Sequence, residues 1–291
     1  MIKRKKLIAN IFAFLAALLF AINFPFSKIL LKEIPATMLA ALLYLGAGFG
    51  IAIMGIVTNF FVKKNKEQSL VKKDLPYVIG MVLLDIAAPI LLLLGMRITS
   101  AANISLLSNF EIVATSIIAL VIYKENIVKK VWFGIGLITF ASVLLSFENG
   151  KSFSFSWGSF LVILACVCWG FENNCTRQIS SKNPMQIVVI KGIFSGTGAL
   201  IIASICNQHI TNYLYIIPAL ILGFVAYGLS IFFYIYGQRE LGAAKTSAYY
   251  AVAPFIGVGL SMIILKELPG ANFYIALIIM SIGIIYISKS D

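Results

Sequence analysis

Long apolar runs that contain no charged side chain recur along the whole sequence. Residues 7–27, 34–62, 131–147 and 268–288 are four of them, and each reaches the roughly 17–25 residues that a helix needs to cross a bilayer. A lone strand would leave backbone N–H and C=O groups unpaired in lipid, so each run has to be helical. The composition, 60% hydrophobic and 12% charged, is also more apolar than that of a soluble domain. We therefore predict an all-α, multi-pass protein of the cell membrane.

Hydropathy predicts ten transmembrane helices joined by short connections. The predicted spans are 7–30, 37–62, 75–95, 101–123, 130–147, 157–178, 185–206, 213–236, 243–265 and 271–288.

The basic residues indicate how these helices are oriented. If the N-terminus is cytoplasmic, 16 of the 23 lysines and arginines lie in cytoplasmic segments, 5 lie on the opposite side, and Lys191 and Lys245 lie within helices. The positive-inside rule then places both termini in the cytoplasm.

The basic start before residue 7 is similar to that of a signal peptide, but we expect it to belong to a retained first helix. Because the charges are scattered between apolar runs, the net charge of +12 does not indicate a nucleic-acid partner.

An internal repeat relates the two halves of the chain. At a constant offset of 142 residues, equivalent positions carry residue types that are uncommon in an apolar chain. The matched pairs are Pro76 with Pro218, Gly95 with Gly237, Arg97 with Arg239, Ser105 with Ser247, and Lys124-Glu125 with Lys266-Glu267.

A second offset, of 149 residues, aligns Pro35 with Pro184 and extends the repeat to the first helix of each half. The predicted repeats are residues 7–147 and 157–288, with five helices each. Because five is odd, the second copy must enter the membrane from the opposite side. Inverted repeats of this kind are typical of secondary transporters, whose substrate site lies near the midplane between the halves.

Several ionisable residues fall inside the predicted spans, where a charge costs roughly 2.5–3.5 kcal/mol on insertion scales. Asp85 lies at the centre of the third helix, four residues before Pro89, which removes a backbone hydrogen bond there. Glu111 lies at the centre of the fourth helix. Each acid is a candidate for substrate or proton binding, or a hydrogen-bonded structural acid. Lys245 is close enough to a helix end to reach the cytoplasmic surface.

Glu172 and Lys191 are predicted to lie at equal depth on the sixth and seventh helices. Two interpretations remain open. The pair is either a structural ion pair that joins the two helices, or a site in which Glu172 binds a cationic group or a proton and Lys191 is the counter-charge.

Polar and aromatic residues at similar depths complete the predicted substrate site. Aromatic rings beside carboxylates favour an organic cation through cation–π attraction, although such rings also pack against neighbouring helices or face lipid. These candidates are Asn23, Asn109, Asn173, Trp169, Tyr227, Tyr249 and Tyr250. Two small-residue patches, at residues 46–48 and 196–198, are instead predicted to allow close helix contact.

The sequence lacks the motifs of several other protein classes. It has no His-Glu-x-x-His, no P-loop and no Gly-x-Ser-x-Gly elbow. The four cysteines fall in apolar segments and a single histidine in a predicted loop, so we predict no metal, no cofactor and no enzyme activity.

The predicted partners are the lipid bilayer, a small-molecule substrate and, as a further candidate, protons. A monomer and a homodimer are both compatible with the sequence.

The duplicated pattern resembles the EamA-like branch of the drug/metabolite transporter superfamily over essentially the whole chain. The motifs that carry this resemblance are Phe20-Ala…Ser27-Lys28 with Trp169-Gly…Thr176-Arg177, and Arg97…Ser100-Ala-Ala…Lys124-Glu125 with Arg239…Gly242-Ala-Ala…Pro254…Lys266-Glu267. The resemblance implies a basket of ten helices around a cavity lined mainly by the first, third, fourth, sixth, eighth and ninth. One departure is Glu111-Ile112, where the second half has Ala253-Pro254.

These observations predict a secondary carrier, either a facilitator or a proton-coupled exchanger, that works by alternating access. The three acids favour an amino acid, an amine or a related metabolite as substrate. A sugar or nucleotide-sugar carrier of the same superfamily is the alternative within this class. A membrane-embedded enzyme or sensor is the alternative outside it.

Overall fold

A computed structural model describes most of the chain, and it is helical throughout the described part. The described residues are 2–61, 67–124, 129–146, 156–241, 246, 250, 252–266 and 271–288. Within them the helices are α1 (Ile2–Ala21), α2 (Asn23–Leu30), α3 (Ala36–Phe61), α4 (Leu75–Ile98), α5 (Ala101–Leu107), α6 (Phe110–Tyr123), α7 (Lys129–Ser146), α8 (Trp157–Ile179), α9 (Pro184–Ile205), α10 (Ile216–Leu222), α11 (Ser230–Leu241), α12 (Ala253–Leu265) and α13 (Ala271–Ser288).

Seven helical segments of the described chain are long and apolar enough to cross a membrane. They are Leu7–Leu30, Ala36–Thr58, Lys72–Ile98, Asn103–Ile122, Trp157–Ile179, Pro184–Ile205 and Tyr213–Glu240. The other three predicted spans coincide with shorter apolar helices at Trp132–Leu144, Ala253–Leu265 and Ala271–Gly283. An all-helical architecture is thus confirmed for the described residues, whereas ten spans and the orientation of the termini stay predictions.

Two of the spans predicted as single helices are each divided in two. The first is divided at Ile22, between α1 and α2, because Pro25 has no N–H to donate to the Ala21 carbonyl. The fourth is divided after α5, where the backbone N–H groups of Asn109 and Glu111 bond to carbonyls three residues earlier rather than four. At both divisions, the regular helical hydrogen bonding is interrupted within an apolar segment of the chain.

A third irregularity lies in the eighth predicted span, where a π-helical segment, Gly223–Leu229, separates α10 from α11. A π-helical turn widens the helix locally and often occurs at functional sites. Here it carries Tyr227, one of the predicted site residues.

Glycines bring α3 and α9 into close backbone contact. A Cβ added at Gly48 would lie only 2.7 Å from the Ile193 backbone nitrogen, and one at Gly196 would lie 2.7 Å from the Leu45 nitrogen. Small residues are a common device for such contacts in membranes. The prediction of close helix contact is therefore confirmed for these two glycines, and also for Gly46, where a Cβ would overlap the Leu220 carbonyl oxygen of α10.

The remaining helices pair around this central contact. Helix α4 packs against α8, α1 against the π-helical segment and α11, α7 against α13, and α5 against α12. Helix α6 packs against α8, and α1 also contacts α12. This arrangement brings α1, α3, α4, α6, α8, α9 and α11 around one central region.

Candidate functional site

A buried ion triad lies at the contact of α4, α8 and α9. The Lys191 ammonium is 2.7 Å from Glu172 Oε1 and 3.1 Å from Asp85 Oδ2. All three side chains are at most 4% exposed. The expected proximity of Glu172 and Lys191 is therefore present, and Asp85 joins them as a second carboxylate.

Hydroxyl groups add one hydrogen bond to each of the two carboxylates. The Tyr44 hydroxyl, from α3, donates to Asp85 Oδ1 at 2.8 Å, and the Thr176 hydroxyl donates to Glu172 Oε1. Thr176 could have been found from the sequence because it lies four residues after Glu172, on the same face of α8. Tyr44 was harder to predict as a site residue, because the sequence shows only a phenol in the middle of an apolar run.

The position of Asp85 follows from the sequence of α4. Pro89 lies inside this helix and cannot donate to the carbonyl of residue 85, four positions earlier. The side chain of Asp85 is buried at 1% exposure. A buried carboxylate requires a counter-charge and hydrogen-bond donors, and Lys191 and Tyr44 supply them.

Glu111 has a different environment from the triad. Asn173 Nδ2, from α8, donates to Glu111 Oε1 at 2.6 Å and to Thr115 Oγ1 at 3.4 Å. No lysine or arginine of the described residues forms a salt bridge with Glu111. The structure thus brings Glu111 and Asn173 together, but through an amide rather than a cation.

Aromatic rings form one wall beside these polar groups. The Phe20 ring centroid is 5.7 Å from that of Tyr227, 6.3 Å from Trp169 and 5.5 Å from Tyr250. The Tyr44 ring lies 5.2 Å from the Tyr227 ring. Phe20, whose position in the first helix also predicts that it faces the midplane, therefore lies beside three of the predicted aromatic residues in one continuous cluster.

Two adjoining cavities lie between the carboxylates and the rings. The larger is lined by Phe20, Tyr44, Asp85, Glu111, Trp169, Glu172, Asn173, Thr176, Lys191, Tyr227, Ile231, Tyr234 and Tyr250. The smaller is lined by Phe20, Ser108, Asn109, Glu111, Ile112, Thr115, Asn173, Tyr234, Tyr250 and Pro254.

The remaining predicted site residues do not line the larger cavity in the described part of the chain. Asn23 is buried and accepts a hydrogen bond from Ser27 Oγ at 2.7 Å, but it is not among the residues that line either cavity. Asn109 lines only the smaller cavity. Tyr249 lies outside the described residues.

The family is identified by comparison with known proteins. The model of the EamA-like transporter family matches residues 7–147 and again residues 156–289. The chain therefore belongs to the EamA-like transporter family, within the drug/metabolite transporter superfamily. It is accordingly a multi-pass membrane protein of the cell membrane.

Two curated relatives belong to the same group. The chain is 26% identical, over 268 residues, to an uncharacterized transporter of Methanothermobacter thermautotrophicus, covering 87% of this chain and 78% of that protein. It is 25% identical, over 259 residues, to the uncharacterized transporter YyaM of Bacillus subtilis, covering 83% of this chain and 84% of that protein.

A solved structure supports the fold. A crystal structure superposes with a TM-score of 0.68 at 14% sequence identity, covering 96% of this chain and 95% of the other. At this identity the likeness concerns the fold alone.

Proposed function

We propose that this protein is a secondary carrier that moves a small organic metabolite bearing a cationic group, an amino acid, an amine or a related compound, by alternating access. The observation that carries the proposal is the charge of the central cavity. The described residues that line it include three carboxylates, Asp85, Glu111 and Glu172, but one basic side chain, Lys191. When all four are ionised, the cavity has an excess of two negative charges, which favours a cationic ligand or protons.

The aromatic wall supports the same ligand class. Rings such as Phe20, Trp169 and Tyr227 attract an organic cation through their π faces and also pack against its apolar body. A sugar would instead be expected to face many neutral hydrogen-bonding groups.

We further propose that ten transmembrane helices form two inverted repeats, residues 7–147 and 157–288, with both termini in the cytoplasm. The helix pairs support this proposal. Exchanging the halves turns the α4–α8 contact into the contact of α1 with the π-helical segment and α11, and the α6–α8 contact into the α1–α12 contact. It turns the α3–α9 and α7–α13 contacts into themselves. The backbone agrees locally, since Lys124 and Lys266 end α6 and α12 with φ values of 53° and 54°.

Transport by purified protein in liposomes tests the proposed function. The panel contains cationic amines, amino acids and sugars, each measured with and without an inward proton gradient, and protein-free liposomes are the control. We expect flux of amines or amino acids above the control. Flux of sugars alone would favour the sugar-carrier alternative, and the absence of flux for every compound would contradict the proposal.

Two variants test whether the proposed site is required for transport. Glu172→Gln leaves Lys191 paired with Asp85 and reduces the excess negative charge of the cavity, so we expect a loss of flux. Glu33→Gln, in the turn between α2 and α3, is the control and should transport as the unmodified protein does. Unchanged flux in Glu172→Gln would remove Glu172 from the site.

A further inference from the structure

We propose that Glu111 is the carboxylate that binds the cationic group of the substrate, and that the substrate is a primary amine without a carboxylate rather than a zwitterionic amino acid. This inference rests on the proposed function and adds to it a substrate class and an anchor residue. It follows from which polar atoms around the two cavities already have partners.

The triad is already occupied by a cation of the protein itself. The Lys191 ammonium contacts Asp85 Oδ2 and Glu172 Oε1 at 3.1 and 2.7 Å, while Tyr44 and Thr176 donate to the same two carboxylates. A substrate ammonium would have to displace Lys191, which would leave a buried lysine without a counter-charge. The triad is therefore a poor site for a second cation.

Glu111 has no such internal counter-charge. Its contacts among the described residues include the Asn173 amide at 2.6 Å but no basic side chain within salt-bridge distance. An ionised carboxylate in this environment is stabilised when a cation binds beside it.

Asn109 provides an independent indication in the smaller cavity. This side chain is 1% exposed, and its Oδ1 atom is buried and has no hydrogen-bond donor among the described residues. Asn109 Nδ2 faces the Met280 sulfur at 3.8 Å, which favours the assigned orientation of the amide because nitrogen is its donor atom. An unpaired buried acceptor costs free energy until a donor reaches it.

Among the described residues of the smaller cavity, the buried side-chain atom without a hydrogen-bond partner is an acceptor, Asn109 Oδ1. The Asn173 amide donates to Glu111 Oε1 and to Thr115, and an ionised carboxylate can accept further hydrogen bonds. A primary ammonium supplies three N–H donors and a positive charge. Phe20 and Tyr250 line the same cavity and suit an apolar or aromatic body attached to the ammonium.

Among the described residues that line the cavities, the Tyr227 hydroxyl is an unpaired but neutral donor, and no basic side chain is free to pair with a substrate carboxylate. Lys191 is the one basic side chain among them, and Asp85 and Glu172 already hold it. An α-carboxylate would lie close to three acidic side chains, where like charges repel. The cavity therefore favours an amine over the amino acid of the same skeleton.

Equilibrium binding to the purified full-length protein in detergent tests this inference with three matched probes. The probes are 2-phenylethylamine, L-phenylalanine, which adds a carboxylate, and 3-phenylpropanoate, which lacks the amine. We expect 2-phenylethylamine to bind at least about tenfold more tightly than L-phenylalanine, and 3-phenylpropanoate to bind most weakly. Equal or tighter binding of L-phenylalanine, or no binding of 2-phenylethylamine, would overturn the inference.

Variants then test the anchor residue. Glu111→Gln keeps an oxygen to accept from Asn173 and is expected to lose about tenfold to a hundredfold in affinity for 2-phenylethylamine, whereas Glu33→Gln is expected to lose none. Affinity of Glu111→Gln within about twofold of the unmodified protein would overturn the assignment. The comparison of the three probes on the unmodified protein decides the substrate class even if Glu111→Gln fails to fold.

Flux into liposomes separates this inference from the proposed function. Binding of 2-phenylethylamine that depends on Glu111, without flux of any compound in the panel, would contradict the carrier function but not the anchor. Flux together with unchanged binding in Glu111→Gln would contradict the anchor but not the carrier function.

Discussion

Lys191 is the counter-charge of two buried carboxylates, Asp85 and Glu172. Its ammonium contacts two carboxylates at once, so the structural and functional interpretations of the Glu172–Lys191 pair need not exclude each other. One lysine joins α9 to α4 and to α8, and the second carboxylate leaves the triad with a net negative charge when all three groups are ionised. The triad can therefore stabilise the helix arrangement while contributing to the charge of the cavity.

Removing the lysine charge alone is expected to destabilise the protein strongly. In Lys191→Met both Asp85 and Glu172 remain buried without a counter-charge, and breaking a buried ion pair in this way costs about 3–5 kcal/mol. Thermal unfolding in detergent measures the loss. The triple variant Asp85→Asn, Glu172→Gln, Lys191→Met removes all three charges and should regain most of the stability. If Lys191→Met unfolded at the temperature of the unmodified protein, the triad would have no structural role.

At the scale of elements, the contact of α3 with α9 depends on the absence of side chains at a few positions. The backbones approach so closely at Gly48 that a Cβ would lie 2.7 Å from Ile193 N and 2.9 Å from the Gly192 carbonyl carbon. Backbone atoms cannot move aside as a flexible side chain does. Tyr44, on α3, and Lys191, on α9, lie on the two helices that this contact holds together, so the geometry of the triad depends on it.

Gly48→Ala is expected to lower stability by about 1–3 kcal/mol, because an added methyl group forces the two helices apart. Thermal unfolding in detergent checks this. Gly136→Ala in α7 is the matched control, since a Cβ there would meet nothing within 4 Å, and alanine is the better helix former by roughly 0.5–1 kcal/mol. Equal melting temperatures for Gly48→Ala and the unmodified protein would show that the helices can separate without cost.

At the scale of the whole molecule, Arg97 and Arg239, which the 142-residue offset aligns in sequence, have different surroundings. Arg239 forms an ion pair with Glu67 at 2.9 Å and donates to the carbonyls of Ser180 and Lys182, so it connects the end of α11 to the segments before α4 and after α8. Its equivalent, Arg97, is exposed at the end of α4. The side of the protein that carries Arg239 is therefore tied together by a contact that Arg97 does not reproduce.

The proposed orientation of the molecule can be tested with a native cysteine. Cys206 is exposed just after α9, and cytoplasmic termini would place it on the outer side of the membrane. A membrane-impermeant maleimide should then label it in intact cells, and Cys206→Ser should remove this labelling. Labelling that appears only after the cells are permeabilised would reverse the orientation.

The sequence by itself determined the helical class, the approximate spans and the shared depth of Glu172 and Lys191. Hydropathy and helical periodicity are local properties of consecutive residues, and the bilayer imposes them on each span separately. The division of the first helix at Ile22 follows from Pro25, so it could have been predicted from the sequence. The apolar run around Pro25 is continuous, however, and therefore indicated a single helix.

Tertiary structure alone decided which of the buried groups meet. Tyr44 and Asp85 are 41 residues apart, and Glu111 and Asn173 are 62 apart, so their contacts depend on the rotation and crossing of different helices, which hydropathy does not encode. For the same reason, sequence reasoning could not rank the three acids as candidates for substrate binding. In the structure, two of them pair with Lys191, and Glu111 is left with an amide. That difference arises from helix packing, because each carboxylate takes its counter-charge from another part of the chain.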